Sequence, residues 1–316
     1  QALMGRGEMV RSLPLFLSSW TRYRSLPKLA REPLSRRWQD VRTPGATIKA
    51  AFYAGCMIEY AYPEIGEAVA VALRKRGVDV SLASARGCCG YPALSAGDEE
   101  SARRAAIDTL QALQRVGSDY VITACPTCSK ALREEYPRLF ASDPHWWGLA
   151  NRIAQQSYDF SEFLVRVLEE PLPEDAAPVA GRAGYHDPCH LRHGLGVADE
   201  PRQLVAGAGY QLVELEGSDT CCGCAGLFSV KFPEVSQVML QRKVESIVRA
   251  GVDVVATDCP ACIMQIRGGL DKRGSAVKVF HTAQILAVEG AAVPSTDQSV
   301  EKPLPRRSRV RRAPTR

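Results

Sequence analysis

The sequence predicts an α/β fold built as a tandem duplication, each copy a small parallel sheet flanked by helices. Two observations carry this. Ten of the eleven cysteines repeat under a nearly constant shift, and apolar runs of strand length alternate with runs of helical period. The chain has 316 residues, enough for two domains of ordinary size, with 46% hydrophobic and 24% charged residues. No stretch approaches the roughly 18–20 apolar residues that a membrane span needs.

In the first copy, residues 48–54 suit a buried strand that leads to Cys56. Residues 63–76 carry Ile65, Ala68, Val69 and Ala72 at helical spacing. Residues 78–82 form a second strand, running to Cys88-Cys89-Gly90. Residues 98–116 form a helix with Ile107, Leu110 and Leu113 near one face. Residues 120–124 form a third strand, entering Cys125 directly. Pro126 then opens a helix, where a first-turn proline loses no hydrogen bond. A helix over 161–169 closes the copy. The second copy follows the same order. Residues 183–186 form a strand leading to Cys189, 202–208 a short helix, and 210–215 a strand leading to Cys221-Cys222. A helix over 234–250, a strand over 252–257 and a helix over 260–270 come next. Residues 277–280 and 283–288 complete it.

The cysteines fix the duplication. Positions 56, 88, 89, 125 and 128 return as 189, 221, 222, 259 and 262, shifted by 133 for the first three and 134 for the last two. Gly90 and Gly223 follow the vicinal pairs, Pro126 and Pro260 sit inside the CxxC motifs, and Thr123 and Thr257 precede them. Every cluster falls just past the C-terminal end of a strand, the edge where open α/β sheets bind ligands. An odd cysteine count with vicinal pairs suits a disulfide scaffold poorly. A reducing compartment fits better, and there clustered cysteines hold metals or do redox chemistry.

Five thiols per copy leave three chemistries open: an iron–sulfur cluster, zinc, or metal-free thiol–disulfide exchange. Neighbouring cysteines chelate a single ion poorly but can serve two irons of one cluster. Five exceeds the four ligands of an ordinary cubane. The fifth is a spare, a bridge or part of an unusual cluster. The helix starts at the CxxC motifs offer free N–H groups to anionic sulfur. Gly90 and Gly223 let the backbone approach closely.

Other residues near these motifs carry weaker signals. Cys224 has no first-copy counterpart, since Tyr91 stands there, and is expected beside the second site. His186, His190 and His193 surround Cys189 and are weighed as ligands or a proton relay against a hydrogen-bonding loop, with His190 the candidate beside the cluster. Asp187 is expected to orient its loop through backbone N–H groups. His281 reads as a satisfied structural histidine. Trp146 and Trp147 read as an inter-element loop that packs or meets a partner.

Charge sits at the ends. Residues 1–48 hold nine basic against three acidic side chains, and 301–316 seven against one, in a chain of net charge +5. Solvated connectors or tails are the plainer expectation, contact with an anionic membrane face the other. No GxGxxG, Walker loop or nucleic-acid motif is present, so neither a nucleotide, nor a flavin, nor nucleic acid is expected on this chain.

On these residues, the two copies resemble the cysteine-rich CCG domains. Such domains occur in heterodisulfide reductase subunits B and D and in the iron–sulfur subunits of glycolate oxidase, lactate-utilisation dehydrogenases and anaerobic glycerol-3-phosphate dehydrogenase. The likeness covers about residues 49–290. The segments 185–190 (YHDPCH), 221–226 (CCGCAG) and 259–262 (CPAC) look most like the glycolate/lactate branch. The resemblance implies a noncubane [4Fe-4S] cluster on Cys56, Cys88, Cys89, Cys125 and Cys128, and another on Cys189, Cys221, Cys222, Cys259 and Cys262. It implies an electron-transfer subunit of a 2-hydroxy-acid oxidoreductase, partnered by a flavoprotein dehydrogenase and passing electrons toward quinone or another carrier, at the cytoplasmic face of a membrane or in the cytoplasm. Relatives often carry an N-terminal ferredoxin-like domain. Residues 1–48 contain no cysteine and resemble the basic connector after it, so that module is expected upstream or as a separate subunit. The alternatives are a subunit that reduces a disulfide at the clusters and a zinc-stabilised interaction module. The expected divisions are a connector over 1–48, domains over 49–180 and 181–292, and a disordered tail over 293–316.

Overall fold

The computed structural model describes residues 9–13, 21–39, 42–84, 87–169, 181–224 and 226–287. The expected tail over 293–316 lies outside the described residues. Two short strands, β1 (Met9–Val10) and β2 (Leu26–Pro27), pair antiparallel near the N-terminus. The first main sheet contains β3 (Ile48–Tyr53), β4 (Val78–Leu82), β5 (Tyr120–Thr123) and β6 (Ser157–Asp159). The second contains β7 (Arg182–Tyr185), β8 (Gln211–Val213), β9 (Val254–Ala256) and β10 (Lys278–Phe280). Their orders are β4-β3-β5-β6 and β8-β7-β9-β10, with every pairing parallel. The α/β duplication is thus one topology used twice.

Register repeats as well. Ala50 faces Tyr120 across β3 and β5, and Ala183 faces Val254 across β7 and β9, which are the same positions under the cysteine shift. The strand order reverses between the first and third strands of each copy, so their C-terminal ends diverge into a crevice. Cys56 and Cys125 follow two such strands, as do Cys189 and Cys259. Ala50–Tyr53 and Ala183–Tyr185 are buried on both faces, which explains their apolar runs.

The halves exchange their closing helices. The helix Thr282–Ala287 of the second half packs on Pro63–Lys75 of the first, and Lys75 Nζ donates to the Ala287 carbonyl at 3.3 Å. In the reverse sense, Phe160–Glu162 and its π-helical extension Phe163–Val167 pack on Asp199–Gly207, where Arg166 pairs with Glu200. One apolar core therefore runs through both halves, from Leu34, Leu73 and Phe163 to Leu204, Ile263 and Leu286.

Several elements differ from expectation. Cys56 lies just past the end of β3 as expected, but in the first turn of a helix, Gly55–Tyr60, rather than in a loop. Trp146 and Trp147 are helical, within Pro144–Gln156. Asp143 caps that helix and Pro144 takes its first position. Described parts of the N-terminal segment pack against both halves. Leu34 is fully buried against Gly66, and the Ser25 N–H donates to the Gly268 carbonyl at 3.2 Å.

Candidate metal centres

The structure brings together all five cysteines of the first half. Cys56 comes from the helix after β3, Cys88 and Cys89 from the loop after β4, and Cys125 and Cys128 from the cap and first turn of Pro126–Lys130 after β5. No disulfide involves any cysteine of the chain. The thiols lie close enough to shift one another's titration, Cys56 with Cys88, Cys88 with Cys89, Cys89 with Cys128 and Cys128 with Cys125. Cys88 is held down to about 3, first by the Cys56 and Cys89 thiols and further by the backbone N–H groups of Gly90 and Cys89, against the cost of burial. Cys125 is lowered by the Cys128 thiol and by N–H groups at its helix start. Cys56 is pushed up by the neighbouring Cys88 thiol and by burial. Tyr136 ties the loop down by donating to the Cys89 carbonyl at 2.8 Å.

The second half repeats this group. Cys221 is held down to about 2 first by the Cys189 thiol, then by Cys222 and the Gly223 N–H at 3.3 Å. Cys222 and Cys262 have their sulfurs 3.5 Å apart, and Cys259 completes the set. Gly223 has φ +82°, and a Cβ there would lie 2.7 Å from the Ser236 carbonyl, so the loop needs glycine for both reasons.

His186 stands where the first half has Tyr53, and it is buried against these sulfurs. Its Nδ1 lies 3.1 Å from the Ser218 carbonyl, which can only accept. Nδ1 therefore carries the proton and Nε2 the lone pair. Nε2 has no hydrogen-bond partner, and His186, Cys222 and Cys262 offer donor atoms all within 4.8 Å of one another. Burial, then the nearby Lys243 charge, drops the His186 pKa to about 3, so the ring stays neutral. A soft-metal centre fits both sites: each presents five thiols, with Cys88 and Cys125 lowered toward thiolate in the first and Cys221 in the second, and the second adds an imidazole lone pair.

The remaining candidates scatter. His190 Nδ1 lies 3.0 Å from Thr127 Oγ1, inside the first CxxC, and its ring meets Tyr91 edge-on at 4.9 Å. It thus joins the Cys189 loop to the first site. His193 is exposed. Asp187 departs from expectation, because its carboxylate takes two 2.7 Å bonds from Arg202 and one at 3.3 Å from Arg192 instead of binding its own loop. His281 is a satisfied core residue, with Nε2 facing the carbonyls of Ala124 at 3.0 Å and Asp258 at 2.9 Å. Cys224 is buried beside the second site, and burial pushes its thiol up to about 12.

Sequence reasoning missed two cations. Arg24, from the N-terminal segment, and Lys243, from the helix Pro233–Ala250, are 9% and 2% exposed, and both interact with Cys222. The duplication could have flagged Lys243, since its counterpart is the uncharged Thr109. Nothing local marks Arg24. A cavity of about 350 Å³ adjoins the first site, lined by Ser35, Tyr53, Gly55, Glu59 and Tyr60 among others. Its walls come from the N-terminal segment and the first half alone. Among the described residues, no helix is long and apolar enough to cross a membrane.

Comparison with known proteins agrees with this geometry. The cysteine-rich domain model CCG matches twice, over residues 50–133 and 183–267. Lactate utilization protein A of Geobacillus kaustophilus (strain HTA426) is 35% identical over 241 residues, covering 76% of this chain and 98% of the relative. The protein of that name from Bacillus subtilis (strain 168) is 33% identical over 241 residues, covering 76% and 99%. A putative Asp/Glu racemase from Yersinia pestis aligns over 76% of this chain and 96% of its own, but with a TM-score of only 0.33 at 13% identity. With two complete cysteine sets and relatives matched over nearly their whole length, the chain belongs to the CCG cysteine-rich family that includes lactate utilization protein A.

Proposed function

We propose that this chain binds two iron–sulfur clusters of the noncubane [4Fe-4S] type, one on each five-cysteine set, and serves as an electron-transfer subunit in oxidation of lactate or a similar 2-hydroxy acid. The observation that carries this reading is the twofold convergence of five thiols from three strand-end loops. The kinship with lactate utilization protein A supports the substrate class. The chain contributes ligands, hydrogen bonds and a dry surrounding. A bound cluster supplies one-electron redox chemistry. The expected partner is a flavoprotein dehydrogenase. A ferredoxin-like domain or subunit and a quinone or other carrier complete the route, at or near the cytoplasmic membrane face.

A second reading rests on the His186, Cys222 and Cys262 group, whose mixed nitrogen and sulfur donors also suit a single zinc ion. Metal and acid-labile sulfide analysis on anaerobically prepared protein, with EPR after reduction, separates the two. About eight irons and eight sulfides per chain are expected for two four-iron clusters. Zinc without sulfide overturns the electron-transfer reading. Turnover of a disulfide by the reduced protein would instead assign the chemistry to this chain itself.

A further inference from the structure

The two cysteine sites are copies in sequence but not in charge. At the second site, Arg24 reaches in from the N-terminal segment. Its Nη1 donates to Gln265 Oε1 at 2.6 Å and its Nη2 to Ser229 Oγ at 3.2 Å, while Nε is buried without a hydrogen-bond partner. Both partners lead back to the cysteine loop. Gln265 Nε2 donates to Ser236 Oγ at 3.2 Å, and Ser236 donates to the Gly223 carbonyl at 2.7 Å. The Ser229 N–H donates to the Cys224 carbonyl at 3.3 Å. On another side, Lys243 Nζ donates to the carbonyls of Gly217 and Ser218, the latter at 3.2 Å, in the loop that also receives the His186 proton.

The register of the duplication names the first-site counterparts. Gln265 corresponds to Ala131, Ser236 to Ala102, Cys224 to Tyr91, Lys243 to Thr109 and His186 to Tyr53. None carries charge. Thr109 and Tyr53 lie 3.4 Å apart through their hydroxyls. The charged side chains that follow the first CxxC, Lys130, Glu134 and Glu135, pair with one another. A buried cation beside a thiolate-ligated centre favours the form with more negative charge, and low dielectric preserves the effect over several ångströms.

We propose that Arg24 and Lys243 make the second site the electron acceptor of the pair, so that an electron delivered to the first five-cysteine site passes to the second. The inference rests on the iron–sulfur reading above and adds its polarity. Arg24 acts as a positioning charge supplied from outside the duplicated unit. The His190–Thr127 contact, linking the Cys189 loop to the first CxxC, provides a hydrogen-bonded connection between the sites.

The test is an EPR-monitored redox titration of the anaerobic full chain. Cys88→Ser combined with Cys89→Ser removes the first signal and assigns the second. The second site should show the higher midpoint. Arg24→Gln and Lys243→Gln should each lower that midpoint by about a tenfold change in the reduction equilibrium, which is 59 mV for one electron, and leave the first unchanged. Arg24→Lys, which keeps the charge, should keep the wild-type value. If Arg24→Gln loses iron, the wild-type order of midpoints and Lys243→Gln decide. Equal midpoints, a lower second midpoint, or variants that shift both sites alike overturn the polarity but not the cluster assignment. Zinc without sulfide overturns both.

Discussion

Gly55 shows how one residue fixes a site. Its φ is +67°, and a Cβ built there would stand 2.7 Å from Cys128 Sγ. Any side chain pays backbone strain and also displaces a thiol from the centre of the first group. Gly55→Ala should therefore halve the iron bound per chain, with the second site's EPR signal intact. Gly77→Ala is the control, because Gly77 has a similar φ of +74° but nothing within 4 Å of its Cβ position, so it should keep full iron. Equal iron in the two variants would show that the first loop repacks freely. That ten cysteines gather into two groups was legible because residues at loop ends keep their spacing through duplication. His186 Nε2 and Arg24 were not. The free lone pair follows from a hydrogen bond at the other ring nitrogen, and Arg24 reaches a cysteine loop about two hundred positions later in the chain.

At the scale of elements, long periodic segments read correctly from sequence. The helices Pro63–Lys75, Glu99–Val116 and Pro233–Ala250 and the buried strands β3 and β5 lie where the apolar pattern put them. The misses were short. The helices Gly55–Tyr60 and Tyr91–Ser95 span a turn or so, and β6 has three residues, too few to display a period. What defines β6 is its end. Asp159 accepts from the Ser161 N–H while Glu162 accepts from the Asp159 N–H, a capping box. At the equivalent end of β10, His281 Nδ1 accepts from the Ala283 N–H and Gln284 Oε1 from the His281 N–H. His281 Nε2 also donates between the carbonyls that precede Cys125 and Cys259, which ties both cysteine loops to one ring. Replacing it removes a cap and strands two buried acceptors. His281→Ala should cost about 2–4 kcal/mol of unfolding free energy in urea titrations. A loss below about 1 kcal/mol would mean that water takes over the bonds of the ring.

For the molecule as a whole, duplication did not yield two independent bodies. The closing helix of each half lies on the first crossover helix of the other. Separation would bare Leu73, Val69 and Ile65 on one side and Leu286 and Leu204 on the other, all within a few per cent of complete burial. Each large aliphatic side chain exposed costs about 1.5–3 kcal/mol, and a domain has only about 5–15 kcal/mol in hand. The N-terminal segment adds a strap, with Leu34 in the first half's core and Ser25 and Arg11 bonded to Asp271 in the second. The alternating sequence pattern could show two sheets, but it could not show this exchange, because either pairing of closing helix and crossover helix satisfies the same apolar faces. The full chain should therefore unfold in a single transition by circular dichroism, with near-ultraviolet and far-ultraviolet signals coincident. A fragment holding only residues 181–292 should show no cooperative transition and should bind 8-anilinonaphthalene-1-sulfonate. If that fragment instead melts sharply and keeps its second-site iron, each half is a self-sufficient unit and the exchanged helices merely dock.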